Sequence, residues 1–322
     1  MHTIDSNRPG NLKKILAGSV ACGLFALLMP VTAMAGGPKY GPWSQDKPVP
    51  RVGGFVAGGC PIESRDGLAI YTARRSPIGD DDVVDDLNIW VNMRDSKNDP
   101  FGPAEPLPEV INKPDSNEFC PTPLGAGKFL FVSSRADLGC SMGGGDSDIY
   151  KSRLHPAKGW KEPKNLGCVI DGTGPNTLGS EFSPGILNRL GKKFLYFSST
   201  GTGNHDLFVA KRKRNGRYGE GQPIEELNTE ADDRMPTLSK NGLEIVFSSN
   251  RRGEGGQDIY YSSRKNHRAP WAPPINLSVE LGLSTADADE TRASFSWDGR
   301  RVNYGSGGQV YFIEREKLRG RN

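Results

Sequence analysis

The sequence predicts an all-β fold, a five-bladed β-propeller of four-stranded blades, on three observations. The first is a triplet of polar, aliphatic and aromatic residues that recurs as Asn88-Ile89-Trp90, Asp148-Ile149-Tyr150, Asp206-Leu207-Phe208, Asp258-Ile259-Tyr260 and Gln309-Val310-Tyr311. A period of roughly fifty to sixty residues built of short apolar runs marks a radial β-repeat. The second is a common order of elements inside each unit. The third is that the unit missing from the carboxy-terminal end has its counterpart at the amino-terminal end.

Each unit opens with a residue before proline, in Cys60-Pro61, Cys120-Pro121, Ser183-Pro184 and Met235-Pro236, with Arg292-Ala293 in the fifth. This strand is expected innermost. A tight turn follows at Asp66-Gly67, Asn241-Gly242 and Asp298-Gly299, residues that tolerate the positive φ of a short hairpin. A β-branched and aromatic strand comes next: Leu68 to Tyr71, Phe129 to Val132, Phe194 to Phe197, Leu243 to Phe247 and Arg301 to Tyr304. It runs into Ser133-Ser134-Arg135, Ser198-Ser199 or Ser248-Ser249-Asn250-Arg251, then a glycine-rich loop, then the triplet strand.

The outermost strand is marked by Phe101-Gly102-Pro103, Trp160 with Pro163, Tyr218 with Pro223, and Trp271 with Pro273-Pro274. Proline suits an edge strand because it cannot donate to a ladder. The fifth unit ends at Tyr311 to Glu314 without such a segment, and Tyr40-Gly41-Pro42-Trp43 with Pro48 and Pro50 supplies it. The two ends of the chain are therefore expected to share one blade. The Asp-Gly turn, the Ser-Ser-x-Arg stretch, the Gly-Gly-x-Asp-Ile-Tyr strand and the Trp-x-x-Pro-x-x-Leu close resemble the TolB-like propeller repeat family over residues 40–314. The resemblance implies the propeller fold and leaves the ligand open. The chain differs from TolB itself in lacking its amino-terminal α/β domain and in having five units where TolB has six.

Residues 1–35 read as a signal peptide: Lys13 and Lys14 precede the apolar run Ile15 to Leu28, and Ala33-Met34-Ala35 offers the small residues of a cleavage site. Residues 36–322 form a single propeller domain, expected to be periplasmic or secreted, monomeric and without a transmembrane span. The formal net charge of +3, from 41 basic and 38 acidic residues, argues against nucleic acid as a partner. Cys60, Cys120, Cys140 and Cys168 remain after cleavage, and an even count in an exported chain reads as disulfides. Four cysteines allow three pairings. Cys140 with Cys168 is favoured because both lie in one repeat, and Cys60 with Cys120 because they occupy equivalent positions in neighbouring repeats.

Three groups of residues are candidates for function. Glu118, Glu181 and Asp233 sit three residues before a blade-opening proline, with Glu290 at the matching position before Ala293, while blade 1 has Gly58 there. Carboxylates ringing a channel mouth would attract a ligand or a cation such as Ca²⁺, whereas carboxylates that accept hydrogen bonds from their own loops would be scaffold. Catalysis would require them to differ, with at least one held protonated as an acid. Lys211, Arg212, Lys213 and Arg214 form a basic hairpin tip, either solvated or in contact with anionic lipid or polysaccharide. Asp80-Asp81-Asp82 with Asp85-Asp86 replaces the glycine loop in blade 1 but lacks the spacing of a calcium loop.

No Gly-x-Ser-x-Gly elbow, Walker loop or His-Glu-x-x-His occurs. The main expectation is therefore an exported non-catalytic propeller that binds a protein or glycan of the cell envelope through one face or the channel mouth. The alternative is a glycan-active hydrolase or lyase using channel carboxylates. Function is expected in departures from the repeat, because building blades does not require them.

Overall fold

The computed structural model describes residues 40–75, 86–135, 140, 147–251, 256–283 and 288–318. The signal-peptide segment and the acidic run Asp80 to Asp85 lie outside these residues. Five antiparallel sheets are arranged as blades. Blade 1 consists of Gly59–Glu63, Ala69–Arg75, Leu87–Met93 and Ala104–Pro106. Blade 2 consists of Glu118–Gly125, Lys128–Ser133 and Asp148–His155, with Gly159–Trp160 and Lys164–Asn165 sharing its outer edge. Blade 3 is Glu181–Arg189, Lys192–Ser199, Asp206–Lys211 and Gln222–Pro223, and blade 4 is Asp233–Leu238, Glu244–Ser249, Asp258–Ser263 and Ile275–Asn276.

Blade 5 is made from both ends of the chain. Thr291–Phe295, Arg301–Ser306 and Gln309–Glu314 are completed by Lys47–Pro48, in which Lys47 pairs with Phe312 and Pro48 with Tyr311. Aromatic stacking reinforces the seam. The Arg315 guanidinium lies 3.8 Å from the Tyr40 ring centroid and 4.2 Å from that of Trp43, and grips Glu244 of blade 4 through two hydrogen bonds of 2.7 and 2.9 Å. The first strands of successive blades neighbour one another all round the ring, including the fifth against the first, so they are innermost.

Each innermost strand carries the same irregularity. Its register slips between Gly59 and Ile62, Phe119 and Thr122, Phe182 and Gly185, Arg234 and Thr237, and Thr291 and Ser294. Within each slip one non-glycine residue is left-handed: Cys60 (φ 49°), Cys120 (47°), Ser183 (48°), Met235 (60°) and Arg292 (36°). A bulge re-aims a side chain that regular alternation would send to a blade face. Here it gathers all five side chains in the buried interior, where Cys60, Cys120 and Met235 share one cluster with Phe119 and Val132. The Cys60–Cys120 disulfide joins blades 1 and 2, and Cys140–Cys168 ties the loops of blade 2. Positive φ at branched or bulky residues is costly, so tight packing around the axis must hold these bulges.

A recurring polar latch fastens the triplet strands of blades 1 to 4. Asn112 accepts from the Ile89 amide and donates to its carbonyl, Asn228 does the same for Leu207, Asn176 accepts from Ile149, and Ser278 accepts from Ile259. The triplet acids act beside it: Asp258 accepts from Asn276 at 2.7 Å, and Asp148 from Asn165 at 2.8 Å and from the Cys140 amide. Among the described residues no helix is long and apolar enough to cross a membrane.

Candidate functional site

The recurrent carboxylates lie at the beginning of the innermost strands and have no exposed surface. Glu118 accepts from Ser116 and Ser133 at 2.6 Å and from Arg135 at 3.2 Å. Asp233 accepts from the amide and hydroxyl of Thr229 and from Arg251 at 2.6 Å. Glu181 is bonded to Thr177 and Ser199 and Glu290 to Ser278, and among the described residues neither is paired with an arginine. Burial therefore pushes Glu181 up to about 8 and Glu290 to about 7, with Asp148 and Asp258 among the charges that add to the effect. Glu118 is also raised by burial. Their environments do differ, but the difference follows the Ser-Ser-x-Arg arginine and not access to a ligand.

Gly58 explains why blade 1 lacks this acid. Its φ of 107° and a would-be Cβ only 2.9 Å from the Ala73 carbonyl leave no room for a side chain. Among the described residues no three His, Cys, Asp or Glu side chains converge as a metal site. Lys211, Arg212, Lys213 and Arg214 are exposed at the hairpin after the third strand of blade 3, where Arg212 turns inward to bond the Gly216 carbonyl at 2.8 Å.

The most elaborate open site is at the other end of the innermost strands. An axial cavity of about 370 Å³ is walled by all five blades, with Ile62 and Glu63 from the first, Thr122 and Leu124 from the second, Asn188 from the third, Thr237 from the fourth and Arg292 from the fifth. Glu63, Arg65, Ser296 and Trp297 also line a groove of about 660 Å³ that runs outward between blades 5 and 1. Trp297, 40% exposed, stands where the two spaces meet, with the Arg65 guanidinium 4.3 Å and the Lys240 ammonium 4.8 Å from its ring centroid. These three residues occupy the same place in three first hairpins, Ser64-Arg65-Asp66-Gly67, Ser239-Lys240-Asn241-Gly242 and Ser296-Trp297-Asp298-Gly299.

Three of the residues that line this cavity each carry a buried polar atom, Glu63 Oε1, Thr237 Oγ1 and Arg292 Nε, with no hydrogen-bond partner among the described residues. The Glu63 side chain is 6% exposed, its nearest cation is Arg301 at 3.7 Å, and burial raises its carboxyl above the usual range, with Asp298 adding to the rise. Asp298 lines the adjoining groove and is held low by hydrogen bonds from Ser296 and the Arg300 amide. Two neighbouring carboxyl groups thus have opposite tendencies, one to keep its proton and one to lose it. The sequence does carry a signal for Glu63. Its counterparts two residues after each blade opening are Pro123, Ile186, Leu238 and Phe295, so Glu63 alone is charged.

No family model and no curated protein matches the chain. Among solved structures it resembles a thermostable family-43 glycoside hydrolase, at 16% identity and a TM-score of 0.50 over 83% of this chain and 92% of that one. A family 117 glycoside hydrolase of the marine bacterium Zobellia galactanivorans gives 13% identity and a TM-score of 0.51, covering 87% and 93%. An α-L-arabinofuranosidase from Lactobacillus brevis gives 9% and 0.50, covering 81% and 91%. The fold is that of a five-bladed propeller. The expectation of a non-catalytic binding module is corrected: the solved structures on which this chain superposes over most of their length are a family-43 glycoside hydrolase, a family 117 glycoside hydrolase and an α-L-arabinofuranosidase.

Proposed function

We propose that the protein is a glycan-active hydrolase working in the axial cavity and the groove between blades 5 and 1. The observation that carries the reading is that Glu63, Thr237 and Arg292, which line the axial cavity, each keep a buried polar atom without a partner among the described residues, where buried donors and acceptors are ordinarily paired. The architecture shared with glycoside hydrolases supports the same direction, as analogy of fold.

In this reading Glu63 is the general acid and Asp298 the base. Glu63 gives its proton to the glycosidic oxygen as the bond to the anomeric carbon breaks. Asp298 takes a proton from the water whose oxygen bonds to that carbon, and solvent afterwards restores both groups. Arg65, Lys240 and Arg292 outnumber the one carboxylate lining the cavity, so the substrate is a glycan bearing carboxylate or sulfate groups. Two disulfides fit an enzyme acting outside the reducing cytosol, on a glycan of the envelope or its surroundings.

The test is reducing-end release from a panel of neutral and acidic polysaccharides by the wild type and by Glu63→Gln. Cleavage of an acidic member, reduced about a hundredfold or more in the folded variant, is expected. Activity that survives E63Q, or its absence across the panel, overturns the assignment.

A further inference from the structure

A second cavity of about 370 Å³ opens between blades 2 and 3, away from the axial site. Its floor is apolar. Leu130, Leu166 and Tyr218 are each buried to within 8% exposure, and Leu124 and Ile186 pack against the same cluster. Tyr218 reaches this floor because the hairpin after Lys211 closes through the Arg212–Tyr218 bridge.

The rim has the opposite character. Eight lysine and arginine side chains line the cavity against one carboxylate, Glu162, and among the described residues none of the eight is within ion-pair distance of an acid. Lys151 and Lys164 are direct cross-strand partners. Like charges placed opposite one another in a sheet are destabilising, and an anion between them relieves the repulsion. Burial presses the Lys151 ammonium below its ordinary range, and Arg212, Lys164 and Arg217 add to the effect. Of the basic tetrad noted in the sequence, only Arg212 belongs to this rim.

From this apolar floor beneath an uncompensated cationic rim, we infer that the cavity between blades 2 and 3 binds an amphiphilic anion: a carboxylate or phosphate attached to an apolar chain. The volume lies near the lower end of the roughly 300–1,000 Å³ typical of ligand pockets, so it takes one chain and not a whole lipid bilayer patch. The anionic group sits among Lys151, Lys164, Arg212 and Arg217, and the chain lies along Leu130, Leu166 and Tyr218.

Calorimetric titration with sodium laurate below its micellar concentration tests this, with inorganic phosphate and dodecyl maltoside as probes that carry only the charge or only the chain. Laurate should bind, with both comparators about tenfold or more weaker, and Lys151→Glu/Arg212→Glu should weaken laurate by about tenfold or more. All the substituted residues are exposed, and Lys265→Glu in blade 4 should leave binding unchanged. Near-ultraviolet circular dichroism verifies the fold of each variant. Phosphatidylglycerol vesicles supply a further arm. Competition with laurate that is lost in the double variant assigns the ligand to a membrane lipid, and laurate binding without vesicle competition assigns it to a free amphiphile. Equal binding of phosphate or maltoside, or laurate affinity unaffected by the double substitution, overturns the inference.

Discussion

Arg292 in blade 5 donates from Nη1 to the carbonyl of Pro121 in blade 2 at 2.6 Å, and from Nη2 to Thr122 Oγ1 at 2.6 Å. One side chain thereby bridges non-adjacent blades through the interior and forms part of the wall of the axial cavity. It is buried with no carboxylate partner among the described residues, and burial pushes its guanidinium down to about 9.

Arg292→Ala should therefore lose about 2–4 kcal/mol in urea unfolding, because two charge-assisted hydrogen bonds vanish and a void replaces the side chain. Arg292→Met should lose less than about 1 kcal/mol, since the apolar stem remains and the cost of burying a charge is removed. Equal losses in the two variants would show that the bridge, which both remove, and not packing sets the effect.

The pH dependence of stability should carry the mark of Glu181 and Glu290, whose folded values of about 8 and about 7 exceed the ordinary 4.5. The folded state keeps protons that the unfolded chain has already released, so their contribution is complete below pH 4.5 and is lost as pH rises toward 8. Melting temperature should fall across that window. Glu181→Gln should flatten the fall, and an unchanged profile in that variant would refute the assignment.

Arg251 donates to Asp233 at 2.6 Å and to the Leu227 carbonyl at 2.7 Å, tying the loop before blade 4 to its second strand. Arg251→Ala leaves a buried carboxylate without its cation and should cost about 3–5 kcal/mol. Arg251→Met with Asp233→Asn should recover part of that loss. Chemical denaturation of the three proteins measures both outcomes.

The Cys60–Cys120 bond closes a sequence separation of 60 residues between two innermost strands. Its removal in Cys60→Ala/Cys120→Ala should lower stability by up to about 4 kcal/mol on the loop-entropy argument. Differential scanning calorimetry should show the larger loss here than for Cys140→Ala/Cys168→Ala, whose separation is 28.

Much of this architecture could be read in advance because repetition amplifies local signals. The five triplets, the proline-marked edges and the unmatched segment around Trp43 place the strands, and Lys47–Pro48 does complete the fifth blade. The cysteine pairing also followed from equivalent repeat positions. The latch residues Asn112, Asn176, Asn228 and Ser278 recur too, yet a polar residue in a loop looks the same whether it is solvated or clasping a backbone.

The site was less legible for the opposite reason. Glu118, Glu181, Asp233 and Glu290 attract attention because they repeat, and in blades 2 to 5 each is buried and hydrogen-bonded within its own blade or the loop before it. Glu63 occurs once, so no periodic pattern announces it. Periodicity along the chain fixes which segments are strands and how many blades they make, since those depend on alternation and turn chemistry within some fifty residues. Only the closed ring decides that Glu63, Trp297 and Arg292, from blades 1 and 5, share one cavity: convergence on an axis is set by the packing of all five blades, and no local interaction encodes it.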